Sequence, residues 1–104
     1  MDDEERLDYF ARMVREAPQV ARVRFAYANE LLRARRHEDA VAELRAYLSL
    51  SEDEGNAWGR LGEALAALGR PEEAADAYLT GIEQAERHGH HGMADDFRDA
   101  IERL

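Results

Sequence analysis

The sequence predicts an all-α chain assembled from repeated helix–turn–helix units. Three observations predict it. Displacing the sequence by 34 residues lays it on itself: Ala28 falls on Gly62, Leu31 on Leu65, Ala40 on Ala74, Val41 on Ala75, Leu44 on Tyr78 and Leu48 on Ile82. Apolar residues recur at helical spacing, and no stretch alternates with period two. Every connection is short, so consecutive helices are expected to pack antiparallel as hairpins. A stacked repeat buries its apolar face against its neighbours and presents a surface; it rarely supplies chemistry.

Six helices are predicted, at about 3–16, 20–35, 37–50, 52–68, 71–88 and 92–103. Ala17-Pro18 ends the first and starts the second, because proline fits an early helical position and not an interior one. Arg33, Arg35 and Arg36, at the second helix's C-terminus, complement exposed carbonyls and the macrodipole. His37 begins the third helix as an exposed first-turn residue. Ser51, with Glu54 three residues on, has the pattern of a capping box. Gly69 ends the fourth helix and Pro71 opens the fifth. Gly89-His90-His91-Gly92 breaks the chain again. On the last helix Met93, Phe97, Ile101 and Leu104 form an apolar stripe, with Asp95, Asp96, Asp99 and Glu102 opposite. Gly81 lies mid-helix where Tyr47 sits one repeat earlier, so a large neighbour, Phe97 or Met93, is expected to fill that space.

Trp58, Leu61, Gly62 and Leu65, followed by Gly69, Pro71, Ala74 and Tyr78, resemble the tetratricopeptide repeat, whose pattern is W-x2-L-G-x2-Y, then A-x3-F, then P. The first repeat is looser: Arg24 stands for the tryptophan, Tyr27 for leucine and Ala28 for glycine. Shifted back by 34 residues, helix 37–50 lies over the first helix, putting Phe10 under Leu44 and Val14 under Leu48. That first helix therefore resembles the second half of a repeat, with Arg6 in place of a small alanine, suiting a helix with no partner on that side. The resemblance implies an all-α, right-handed superhelical array of about six antiparallel helices forming a single domain over 1–104. Within it, 1–18 is a half-repeat helix, 19–51 repeat one, 52–88 repeat two and 92–104 a capping helix. Trp58 is expected inside, packing between repeats.

Composition narrows the function classes. Formal net charge is −9, and all 14 basic residues are arginine. A GC-rich genome favours arginine codons, and a strongly acidic surface also suits high salt. The sign argues against nucleic acid, whose phosphates this chain would repel. No window approaches the roughly 20 consecutive apolar residues of a membrane span. The N-terminus is acidic where a signal peptide is basic and then apolar. These features lead to the expectation of a cytoplasmic protein, with no membrane partner and no cofactor. There is no cysteine, no glycine-rich phosphate loop and no hydroxyl with a recognisable His and Asp, so no enzyme is expected.

The family resemblance implies a concave surface, lined by the first helices of successive repeats, that holds a peptide or helix of a partner protein. Carried over, its contact residues are Arg22, Phe25, Asn29, Leu32 and Arg33, then Asn56, Arg60 and Glu63, with Gly59, Ala66 and Ala67 on the same face. Helical spacing independently puts the first five on one face. Three arginines on an acidic protein suggest an acidic or C-terminal carboxylate ligand. The family's carboxylate clamp is matched only in part, at Asn29; Phe25 stands where it needs a basic residue. Two alternatives follow: homo-oligomerisation through the edge of the array, and metal binding by the loop of His88, His90 and His91 with Asp95 and Asp96.

Overall fold

Asp2 caps the first helix. Its Oδ1 accepts from the Glu5 N–H at 2.8 Å, and three acidic residues follow in the first turn, where carboxylates complement the positive end of the macrodipole. The computed structural model describes residues 1–104 and contains six helices and no strand: α1 (Asp3–Glu16), α2 (Ala21–Arg33), α3 (His37–Leu50), α4 (Asn56–Ala67), α5 (Pro71–Arg87) and α6 (His91–Glu102). They divide into two compact units, Met1–Ser51 and Glu52–Leu104.

Two helix starts differ from expectation. Pro18 does not open α2. It sits in a turn closed by the Val20 N–H on the Ala17 carbonyl at 3.2 Å, and α2 begins after Val20. The Ser51 capping box does not form either. Asp53 Oδ2 instead accepts from the Gly55 and Ala57 N–H groups at 2.9 and 2.8 Å, holding residues 53–55 in a bend so that α4 starts only at Asn56. A carboxylate that bonds two following amides offers the backbone an alternative to helix.

Three helix ends share one geometry. After α4, the Arg70 N–H reaches the Leu65 carbonyl and the Gly69 N–H the Ala66 carbonyl, both at 3.0 Å. After α5, His90 bonds Ala85 at 2.7 Å and Gly89 bonds Glu86 at 3.1 Å. After α2, Arg36 bonds Leu31 at 2.8 Å and Arg35 bonds Leu32 at 3.0 Å. This paired closure needs a left-handed residue. Glycine supplies it twice, at φ 73° and 77°, but α2 uses Arg35 at φ 59°. That end therefore stops two residues earlier than the arginine cluster suggested.

In the first unit, α1, α2 and α3 pack antiparallel around Leu7, Val14, Val23, Ala28, Leu31, Ala40, Val41 and Leu44, all buried. Burying a side chain the size of Leu31 or Leu44 contributes roughly 1.5–3 kcal/mol. Arg6 has a partner after all. It forks onto Glu30 of α2 at 2.8 and 3.0 Å and lies 5.8 Å from the Phe10 ring centre. Arg24, in the tryptophan position, bonds both Glu43 oxygens at 3.0 and 3.2 Å and the Pro18 carbonyl at 3.0 Å. One repeat on, Arg24 and Glu43 become Trp58 and Ala77: the ion pair of one repeat answers an apolar pair in the next. His37 is half-buried, not exposed.

In the second unit, a Cβ at Gly62 would lie 2.8 Å from the Tyr78 ring. The larger Tyr78 is admitted by glycine where Leu44 faces Ala28 one repeat earlier. Phe25 and Tyr47 stack in the first unit with centroids 4.8 Å apart. Their counterparts are both glycine, Gly59 and Gly81, and the Phe97 ring of α6 takes the place. A Cβ on Gly59 would meet that ring at 2.5 Å, and one on Gly81 at 2.9 Å, with the Trp58 Cβ at 3.1 Å. Trp58 itself is half-buried. Of the α6 stripe, Met93, Phe97 and Ile101 are half-buried, while Leu104 is 43% exposed.

Two substitutions test these packings. Arg35→Gly should raise stability by about 0.5–1 kcal/mol, because glycine lacks the left-handed penalty; a lower urea midpoint would contradict the closure described. Gly59→Ala should lower it by about 1–3 kcal/mol through overpacking, although helix propensity alone favours alanine by ~1 kcal/mol. A stabilised Gly59→Ala would show that the ring is elsewhere.

Candidate functional site

The N-terminal half of α4 and the middle of α6 border a cleft of about 380 Å³ lined by Asn56, Gly59, Arg60, Glu63, Met93, Asp96 and Phe97. Gly55 precedes α4 and packs against α5 and α6. At φ 127° it takes a conformation that side chains resist, and a Cβ there would lie 2.9 Å from Met93 Sδ and 3.2 Å from the Gly81 carbonyl oxygen. Glycine thus lets α6 come down on α4, and Phe97 fixes the approach. His90 Nε2 meets Glu54 Oε1 at 2.7 Å, and Arg98 pairs with Glu86 and, at 2.9 Å, with Asp95. The His90–Glu54 and Arg98–Glu86 contacts tie α6 to the rest of the unit at two heights, while Arg98–Asp95 lies within the helix.

Three of the expected contact residues, Asn56, Arg60 and Glu63, come together in this cleft. Arg60 is half-buried, and its Nε is enclosed without a hydrogen-bond partner, a state that costs free energy unless a ligand or water supplies an acceptor. Glu63 and Asp96 are exposed. Gly59 differs from expectation: it is buried beneath Phe97 rather than open on the surface. Met93, Asp96 and Phe97 belong to the cleft but were assigned only to the capping helix. The signal that points to them is the replacement of Phe25 and Tyr47 by two glycines, which leaves a seat for a ring from elsewhere.

The other five lie on α2 of the first unit. Arg22 is exposed, and Phe25 is half-buried on Tyr47. Asn29 is half-buried with Oδ1 enclosed and unpaired. Leu32 packs with Leu7, Leu31 and Ala40. Arg33 is not a free cation, since it pairs with Glu30 at 3.3 Å and Asp3 at 3.7 Å. A small cavity of about 50 Å³ beside it is lined by Asp3, Leu7, Glu30, Arg33 and Ala34.

The histidine loop does not gather as a metal site. His88 Nδ1 lies 2.9 Å from the Gln84 carbonyl of its own turn, His90 turns to Glu54, and no cluster of three ligating side chains forms.

A family model for the tetratricopeptide repeat matches residues 31–92, more than half of the chain. The chain belongs to the tetratricopeptide repeat family. Solved structures of MamA share the fold of this repeat protein. One titled "MamA MSR-1 C2" aligns with a TM-score of 0.72 at 20% identity, covering 97% of this chain and 66% of that one. A MamA mutant gives 0.70 at 21%, covering 97% and 67%, and "MamA RS-1 ArsTM double mutant" gives 0.73 at 15%, covering 98% and 65%. The chain spans about two thirds of the length of these structures. A search of curated proteins finds no match. The tetratricopeptide fold supports a role in protein–protein interaction, and no helix is long and apolar enough to cross a membrane.

Electrostatics at the α1–α2 junction give a pH prediction. The hydrogen bond from Arg6, opposed in part by burial, holds the Glu30 carboxyl below its ordinary range. A depressed folded-state value means that the unfolded chain binds more protons in that window. The stabilisation is then complete above the ordinary glutamate pKa of about 4.3 and is lost as pH falls through the folded value. The urea midpoint of the native chain should drop faster than that of Glu30→Gln as pH falls below about 4.3; parallel curves would remove Glu30 from the acid response.

Proposed function

We propose that the chain is a non-catalytic adaptor that binds an extended peptide or helix of a partner protein in the α4–α6 cleft. The observation carrying this reading is the half-buried Arg60, whose enclosed Nε–H lacks an acceptor at the wall of a cleft of about 380 Å³. A backbone carbonyl or side-chain oxygen of a ligand would complete it. Asn56 would add a second hydrogen-bonding group, and Met93 and Phe97 an apolar floor. Within the first unit, taken by itself, Arg22, Phe25 and Asn29 on α2 are proposed as a separate set of partner contacts, the enclosed Asn29 Oδ1 being suited to a ligand N–H. Leu32 and Arg33 are weaker choices, since Leu32 packs inward and Arg33 is already paired.

A second reading, self-association, is favoured by Tyr9. It stands 47% exposed on α1, edge-on to Phe10 at 5.4 Å, an aromatic pair on a helix that packs chiefly on α2. Sedimentation velocity at two concentrations separates the readings, because a constant monomer mass removes this one.

The leading reading is tested by panning a random peptide library on the full chain and measuring the recovered peptides by calorimetry. Arg60→Ala should weaken them about tenfold or more, the scale of a binding hot spot, with its melting curve as a control for folding. The exposed Arg12→Ala on α1 should leave them unchanged. Peptides that bind equally to Arg60→Ala would place recognition elsewhere.

A further inference from the structure

We infer that the α4–α6 cleft selects a basic segment of its partner, one bearing Lys or Arg beside an apolar residue. This rests on the cleft being the binding site and reverses the sign expected from the arginines alone. The groove's carboxylates outnumber its guanidinium two to one: Glu63 and Asp96 against Arg60. Both carboxylates are exposed, and neither is engaged in an ion pair or hydrogen bond. Nearby acids are already answered. Glu54 is met by His90, and Glu86 and Asp95 by Arg98. Arg103, just past the end of α6, and Glu63 both act on the Tyr78 hydroxyl, yet Arg103 forms no ion pair with Glu63 or Asp96.

On α2 the expected positive patch is reduced to the exposed Arg22, because Arg33 is held by Glu30 and Asp3. What remains open is therefore a pair of unanswered carboxylates above an apolar floor of Met93 and Phe97. A Lys or Arg side chain fits both parts. Its methylene stem lies along Met93 and Phe97 while its head reaches Glu63 and Asp96, with the ring face adding cation–π attraction. Arg60 then serves the ligand backbone, donating from Nε to a carbonyl, since an acidic side chain brought there would meet Glu63 and Asp96 at close range. The whole-chain charge of −9 adds long-range attraction for the same sign of partner.

The test is the composition of peptides selected from the random library on the native chain and on the double variant Glu63→Gln, Asp96→Asn. Selection on the native chain should enrich Lys and Arg next to aliphatic or aromatic residues. The double variant should lose that enrichment and bind the native winners about tenfold more weakly, keeping its melting temperature. Raising salt from about 50 to 500 mM should weaken the native complex about fivefold or more, because the contact charges lie partly in solvent. Acidic winners that still depend on Arg60 would overturn the inference and leave the cleft as the site. Winners indifferent to Arg60, Glu63 and Asp96 alike would overturn both. Basic winners unaffected by the double variant would show attraction to the acidic surface at large, and this too would overturn it.

Discussion

The Phe97 ring occupies volume that two side chains fill in the preceding repeat. In the first unit Phe25 and Tyr47 stack on each other; in the second, the same positions are Gly59 and Gly81, and a ring from α6 enters between them. Much of the second unit follows from this exchange. Ala94 is the one fully buried residue of α6, with Met93, Phe97 and Ile101 half-buried along the same stripe. The ring, wedged against α4 and α5, supplies the attachment, and Gly55 and the His90–Glu54 contact fix the end nearest the loop. Once α6 is seated, the wall carrying Met93 and Asp96 stands opposite Arg60 and Glu63, and a cleft exists.

The two repeats solve one packing problem with different residues. Leu44 against Ala28 becomes Tyr78 against Gly62, conserving the volume between the helices while moving it from one side to the other. The Arg24–Glu43 ion pair becomes Trp58 and Ala77, exchanging an electrostatic link for apolar bulk. Such trades are expected where interiors are close-packed, since a change of even a methylene has to be absorbed by its neighbour. They also explain why the family pattern is clear in the second repeat and loose in the first.

The period, the six helices and their antiparallel order were legible because they depend on spacing within the chain. Gly81 even announced its neighbour: a glycine in mid-helix, where the earlier repeat has tyrosine, points to a large group from outside, and Phe97 is that group. What escaped detection depends on side chains reaching across space. Asp53 turns onto two amides and delays α4, although Ser51 and Glu54 present the same letters as a capping box. Arg6 and Arg33 look like free cations in a linear reading, yet both converge on Glu30. The candidate site was half legible. Asn56, Arg60 and Glu63 follow from the register of a first helix, whereas Met93, Asp96 and Phe97 required knowing where α6 docks, and their arrival changes the sign of the site.

Aromatic ring-current shifts provide the most direct measurement of this arrangement. In an NMR spectrum of the native chain, the Hα resonances of Gly59 and Gly81 should both move away from ordinary helical glycine positions and show through-space transfer to the Phe97 ring protons. The same resonances should return to ordinary values in Phe97→Leu. Unshifted glycines with no transfer to that ring would mean that α6 is not seated there, and the cleft would have no second wall.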